Sequence, residues 1–334
     1  MSNGDFTSRL NAAVARHIGK PGVVHDLKRL TGGANKTTWS FDAEVGNGRG
    51  EFILQLSSAA TTEVPNPLAD ITPHITADED ARLMIAAVNA GVPAPRVRAI
   101  LETADGLGPG YVTERVAGET IGTKLVKDDR FAKARAVMPQ QCGKILAAIH
   151  RIDLAKVPFL KRQDASEMIA AHYEIIDFLG FRLPALEWGL KWAAENAPKS
   201  DRHTVVHGDF RTGNFIVGDE GIRCLLDWEI AHSGDPMEDL GWVCVKTWRF
   251  SGPKPVGGFG TREDLFAAYE KASGGSVDPK RVRFWEAWGS VKWAIGCLRM
   301  GTRGIEEVGI ERCAIGRRIE EPLWDFYSLI DGKD

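Results

Sequence analysis

The sequence predicts an α+β chain in two lobes, a small one built on an antiparallel sheet and a larger one that is mainly helical. Three observations carry this. Short apolar runs separated by glycine-bearing turns dominate before Gly118, and helix-favouring stretches dominate after it. Nine of the ten tryptophans fall after position 185, so the larger core belongs to the C-terminal half. With 334 residues, the chain is also too long for one small core.

In the first lobe, residues 11–18 predict a short amphipathic helix. Residues 24–30, 39–45 and 51–56 read as three strands. Breakers separate them at Thr31-Gly32-Gly33-Ala34-Asn35 and at Gly46-Asn47-Gly48-Arg49-Gly50. Residues 57–76 contain Pro65, Pro67 and Pro73 and are expected to form an irregular loop. A helix follows over 77–90 with Gly91 as its stop, then strands over 97–100 and 111–114. In the second lobe, residues 131–150, 166–179 and 281–300 predict helices. The last is apolar almost all round and is expected to be buried.

A net charge of −3 with interleaved signs argues against a nucleic-acid partner or an anionic membrane surface. The five cysteines form no CxxC pair, so reduced, buried thiols are expected in place of a disulfide framework or zinc knuckle. Residues 1–10 lack an apolar core, and no stretch approaches the ~20 apolar residues that span a bilayer. A cytoplasmic location is the resulting expectation. Nothing in the sequence speaks to oligomeric state.

The chemistry concentrates in Val206-His207-Gly208-Asp209-Phe210-Arg211-Thr212-Gly213-Asn214, followed by an apolar run, Gly218-Asp219-Glu220-Gly221, and a second run ending Leu225-Leu226-Asp227-Trp228-Glu229. A glycine-bounded acidic turn between apolar runs predicts a β-hairpin. Antiparallel pairing then brings Asn214 and Asp227 to the same end, where an amide oxygen and a carboxylate offer hard ligands suited to Mg²⁺. Asp209 lies five residues upstream in the same loop, close enough to orient an attacking hydroxyl, and Arg211 adds a fixed positive charge for a moving phosphoryl group. A His-Gly-Asp triplet alone is an ordinary turn; the full spacing is far more specific.

These residues, with Gly234-Asp235-Pro236-Met237-Glu238-Asp239-Leu240-Gly241-Trp242, resemble the aminoglycoside phosphotransferase/choline kinase superfamily. Within it, the resemblance is greatest to the phosphotransferase domain associated with acyl-CoA dehydrogenases. It implies a two-lobed protein-kinase-like fold, with an N-lobe over 1–113, a hinge over 114–118 and a C-lobe over 119–334. It also implies ATP and Mg²⁺ as cofactors, Asp209 as catalytic base, Asn214 and Asp227 as metal ligands, and Asp239 as a structural acid beneath the loop. His207 would orient that loop and His150 would pack under it. His172 and His203 carry no motif.

By the same resemblance Gly32, Gly33, Asn35 and Lys36 belong to a phosphate-covering loop, Ile53 touches adenine, and Glu114 and Val116 present backbone to the adenine edge. Position 55 should be Lys or Arg; it is Gln55, which can hydrogen-bond a phosphate without neutralising it. Glu79 is the expected partner acid on the following helix, with Asp80 as the alternative. Lys36 is the candidate for the missing charge.

The expected function is phosphoryl transfer to a hydroxyl of a small molecule. The contrasting expectation is a nucleotide-binding module with weak or no transfer, supported by Gln55. Residues 280–334 hold ten Lys/Arg against nine Asp/Glu, and Arg281, Arg283, Arg299, Arg303, Arg317 and Arg318 would tolerate an anionic acceptor. Together with the resemblance, this points to a hydroxylated acyl or acyl-CoA-like acceptor in preference to a polycationic aminoglycoside.

Overall fold

The computed structural model describes residues 3–30, 36–57, 72–302 and 309–333. Most of the expected proline-bearing loop, together with Gly32, Gly33, Asn35 and Arg303, lies outside the described residues. The chain divides into two compact units, Met1–Asn66 with Ile75–Ala117, and Pro67–His74 with Gly118–Asp334.

The N-terminal unit is built on a five-stranded antiparallel sheet in the order β1-β2-β3-β5-β4. Its strands are β1 (Pro21–Leu30), β2 (Lys36–Val45), β3 (Gly48–Ser57), β4 (Val97–Ile100) and β5 (Gly110–Glu114). Along β3 the apolar alternation sets the faces. Phe52, Leu54 and Leu56 are buried, and Ile53 and Gln55 share the opposite face. Helix α1 (Asn3–His17) lays Leu10, Ala13 and Val14 on Phe41, Phe52 and Leu54. Each large side chain so buried is worth roughly 1.5–3 kcal/mol.

Helix α1 begins eight residues earlier than expected. Phe6 lies on the same i, i+4 stripe as Leu10 and packs on the Trp39 ring at 5.0 Å, so the apolar face extends a further turn. Helix α2 (Ala77–Asn89) opens with a capping box. The Glu79 backbone N–H donates to the Thr76 hydroxyl, and the Glu79 carboxylate accepts from the Thr76 backbone N–H.

The C-terminal unit is largely helical. Its helices include α3 (Gly122–Lys127), α4 (Ala132–Ile149), α5 (Ala165–Leu179), α6 (Pro184–Asn196), α7 (Met237–Trp242), α8 (Arg262–Ser273) and α9 (Pro279–Gly301). Helix α9 is capped by Asp278, begins with Pro279, and buries Val282, Trp285, Trp288, Val291 and Ile295 on several faces. Helix α4 packs closely on α8 at Gly143, where an added Cβ would meet the Leu265 carbonyl at 2.6 Å. Two small antiparallel pairs complete the unit: β6 (Thr204–Val206) with β9 (His232–Gly234), and β7 (Phe215–Gly218) with β8 (Gly221–Leu225). Among the described residues no helix is long and apolar enough to cross a membrane. None of the five cysteines forms a disulfide, and four are buried.

Candidate active site

Strand β6 ends at Val206 and delivers the loop that begins with His207. That loop is pinned from below by Asp239, the fully buried acid on α7. Asp239 Oδ2 accepts from the His207 backbone N–H at 2.9 Å, and Oδ1 accepts from the Gly208 N–H at 3.0 Å. His150, at the end of α4, donates from Nε2 to Asp239 at 3.2 Å, while its Nδ1 meets the Tyr269 hydroxyl at 2.9 Å. Burial works against the Asp239 charge, but the hydrogen bond and charge of His150, with His207, outweigh it and hold its pKa below the ordinary carboxylate value.

The turn above Asp239 requires a left-handed residue, and Gly208 supplies it at φ +79°. The His207 ring is locked by two contacts. The Asp209 backbone N–H donates to Nδ1 at 3.1 Å, so the proton resides on Nε2, which donates to the Leu226 carbonyl at 3.1 Å. His207 therefore ties the loop to the end of β8.

Asp209 is held on both oxygens. Oδ1 accepts from Arg211 Nε at 2.8 Å and from the Trp242 indole N–H at 2.9 Å. Oδ2 accepts from Asn214 Nδ2 at 2.7 Å. The Arg211 guanidinium in turn lies 4.4 Å from the centroid of the Trp248 ring. Asp209, Arg211 and Asn214 are thus in direct contact.

The hairpin forms in the expected register, with Phe215 opposite Leu225. It runs one step further, because the Leu226 N–H donates to the Asn214 carbonyl at 2.8 Å. Asp227 is the next residue and has φ +66°, a left-handed conformation that costs a non-glycine residue about 1–3 kcal/mol. Asn214 directs its amide nitrogen to Asp209, leaving Oδ1 with no hydrogen-bond donor among the described residues. This amide oxygen and the Asp227 carboxylate, at the same hairpin end, fit a small hard cation whose other ligands are water and phosphate oxygens. Among the described residues no three His, Cys, Asp or Glu side chains form a closed metal cage.

Asp209 and Arg211 open onto a cavity of about 230 Å³. Its wall includes Trp242, Trp248, Trp293, Lys292, Arg299 and His232. Of the arginines expected to favour an anion, Arg299 lines this cavity. Arg281 instead bonds Asp235 and Ser200, Arg283 donates to the Leu329 carbonyl, and Arg318 pairs with Glu321. Lys292 and the three tryptophans went unassigned in the sequence reading. For Lys292 and Trp293 the only sequence signal is tryptophan density, because α9 is apolar on several faces and shows no distinct functional stripe. His172, passed over as well, lines the cavity, and burial pushes its pKa down to about 4.

In the N-terminal unit a second polar cluster forms. The Lys36 ammonium donates to Asp80 Oδ2 at 2.6 Å; Lys36 is mostly shielded and Asp80 is buried. The Tyr111 hydroxyl donates to the same oxygen at 2.7 Å and is hydrogen-bonded to Gln55. Gln55 faces Tyr111 across the β3–β5 ladder, and Ile53 lies two residues along on the same face. Glu79 is committed to the helix cap, so the acid that meets the lysine is Asp80. Glu114 ends β5 and accepts from Arg98 at 2.8 Å, with Val116 in the half-buried segment just beyond.

The architecture is that of a kinase-like phosphotransferase. The chain belongs to the phosphotransferase enzyme family, whose model matches residues 26–285. Mouse (Mus musculus) acyl-CoA dehydrogenase family member 10 is 28% identical over 205 residues, covering 58% of this chain and 19% of that protein. The chain therefore aligns with only about a fifth of that relative's length. A Ralstonia eutropha JMP134 structure assigned to the aminoglycoside phosphotransferases has a TM-score of 0.75 at 18% identity, with 98% of each chain covered. Spectinomycin phosphotransferase APH(9)-Ia, solved with ADP and spectinomycin, has a TM-score of 0.61 at 13% identity, covering 96% of this chain and 98% of its own.

Proposed function

We propose that this chain is an ATP- and Mg²⁺-dependent phosphotransferase acting on a hydroxyl of a small molecule, with a hydroxylated acyl or acyl-CoA-like acceptor preferred over an aminoglycoside. One observation carries the reading: Asp209 is oriented on both oxygens by Arg211, Trp242 and Asn214, and it faces a cavity large enough for a small acceptor. Asp209 would take the proton of the acceptor hydroxyl as the new P–O bond forms and the bond to ADP breaks. Arg211, stacked on Trp248 beside that carboxylate, would offset negative charge on the phosphoryl group. Asn214 and Asp227 would hold Mg²⁺, which supplies charge neutralisation on the phosphates when bound.

On the nucleotide side, Gly32, Gly33, Asn35 and Lys36 would cover the phosphates, Ile53 would contact adenine, and Glu114 and Val116 would meet its edge. Lys36, fixed by Asp80, would carry the positive charge that Gln55 lacks. This weakens the alternative of a nucleotide-binding module without transfer, whose support was Gln55.

The acceptor preference rests on charge. A polycation would meet Arg211, Lys292 and Arg299 on a wall whose one carboxylate among the described residues is Asp209. The name of the mouse relative, an acyl-CoA dehydrogenase family member, supports the same direction. Cysteines outside any disulfide fit a reducing, cytoplasmic setting.

The test is ATP consumption across a panel of hydroxyacyl thioesters, hydroxy acids and aminoglycosides, repeated with Asp209→Asn. Acceptor-dependent turnover that drops about 10²–10⁴-fold in the variant is expected. Turnover unchanged in Asp209→Asn, or confined to aminoglycosides, would contradict the proposal.

A further inference from the structure

The acceptor cavity has a second anchor besides Asp209. Lys292 lies on α9 with its ammonium 4.8 Å from the centroid of the Trp242 ring. The same indole donates its N–H to Asp209 at 2.9 Å. One side chain therefore presents the proton-accepting carboxylate at its edge and a lysine charge over its face. Lys292 is 3.5 Å from Glu238 Oε1, a long contact, while Glu238 Oε2 lies 3.1 Å from His232 Nε2. One buried carboxylate thus serves two cation-capable groups, and both of those groups line the cavity. Arg299 adds a further cation to the wall, and Trp248 and Trp293 supply its apolar surface.

Resting on the acceptor role of this cavity, we infer that Lys292 determines specificity by pairing with one negative charge on the acceptor, whose hydroxyl sits at Asp209 and whose apolar body lies against Trp248 and Trp293. The ligand class is a hydroxylated carboxylate with an aliphatic body. Trp242 relates the two anchors, because the proton acceptor sits at its N–H edge and the ammonium lies over its face. Burial opposes a charge on His232, but Glu238 overrides this and holds its pKa above the ordinary histidine value, which adds to the positive character behind Lys292.

Binding separates this inference from the kinase reading. Straight-chain ω-hydroxycarboxylates and their primary amides are titrated against the full chain, with tryptophan fluorescence as the readout, in wild type, Asp209→Asn, Lys292→Met and Lys292→Arg. The carboxylate is expected to bind about tenfold more tightly than its amide in wild type, as for one charge-assisted hydrogen bond. That preference should persist in Asp209→Asn and Lys292→Arg and vanish in Lys292→Met, with amide affinity unchanged. Equal binding of acid and amide by wild type, or a preference that survives in Lys292→Met, would overturn it. Absence of turnover together with an intact Lys292-dependent preference would refute the kinase reading alone.

Discussion

The two units position their polar groups by different means. In the C-terminal unit the chemistry-bearing side chains hang from backbone that is itself tied to a buried acid, as Asp239 holds the N–H groups of His207 and Gly208. In the N-terminal unit Lys36, Asp80, Tyr111 and Gln55 meet side chain to side chain. Backbone-anchored geometry demands fixed residue types at fixed spacing, because each N–H must find its acceptor. A side-chain cluster demands only that a charge reach its partner, as Lys36 on β2 reaches Asp80 on α2. The difference teaches where a sequence constrains chemistry tightly and where it leaves the charge free to move.

The comparison breaks most decisively at Asp239. Replacing it by Ala leaves buried N–H groups and His150 without their acceptor, and loss of one partner from such a pair costs about 3–5 kcal/mol. Denaturant unfolding should show that loss, with turnover falling alongside it. A variant as stable as wild type would mean that the loop holds its shape without the acid.

The next effect belongs to the N-terminal unit. Lys36→Met should weaken nucleotide binding about 10- to 100-fold, the worth of a charge-assisted phosphate contact, with fold stability largely kept. Adding Gln55→Lys to that variant should restore much of the affinity if charge alone is needed. Fluorescent-nucleotide titration reads both changes, and unaltered affinity in Lys36→Met would remove the lysine from the site.

Much of the C-terminal site was legible because its constraints are local. Asp209, Arg211 and Asn214 stand in one loop, and the hairpin that brings Asp227 beside them announces itself through glycines and an acidic turn. The aromatic wall was hidden, since Trp242, Trp248 and Trp293 converge from separate elements and read individually as core. Glu79 and Asp80 are adjacent on α2, and only the capping box, which draws Glu79 back to Thr76, leaves Asp80 to meet Lys36. The α1 stripe was read too late because Phe6 sits among polar neighbours.

A separate, pH-dependent effect concerns His172 beside the cavity. Its pKa of about 4 lies below the unfolded value near 6.5, so the neutral ring favours the fold. That stability is present in full above pH ~6.5 and is lost as pH falls toward ~4, with a total on the order of 3 kcal/mol. In His172→Gln the slope of unfolding free energy across that window should flatten; an identical slope would place the pH dependence elsewhere.

The central claim is that Asp209, Asn214 and Asp227 act together on one metal–nucleotide complex. The most direct measurement is a crystal structure of the wild-type chain with Mg²⁺ and a non-hydrolysable ATP analogue. The expected density has the ion on Asn214 Oδ1 and the Asp227 carboxylate, with the terminal phosphate turned toward Asp209. A nucleotide bound with its metal on other residues, or with its terminal phosphate facing away from Asp209, would contradict the account.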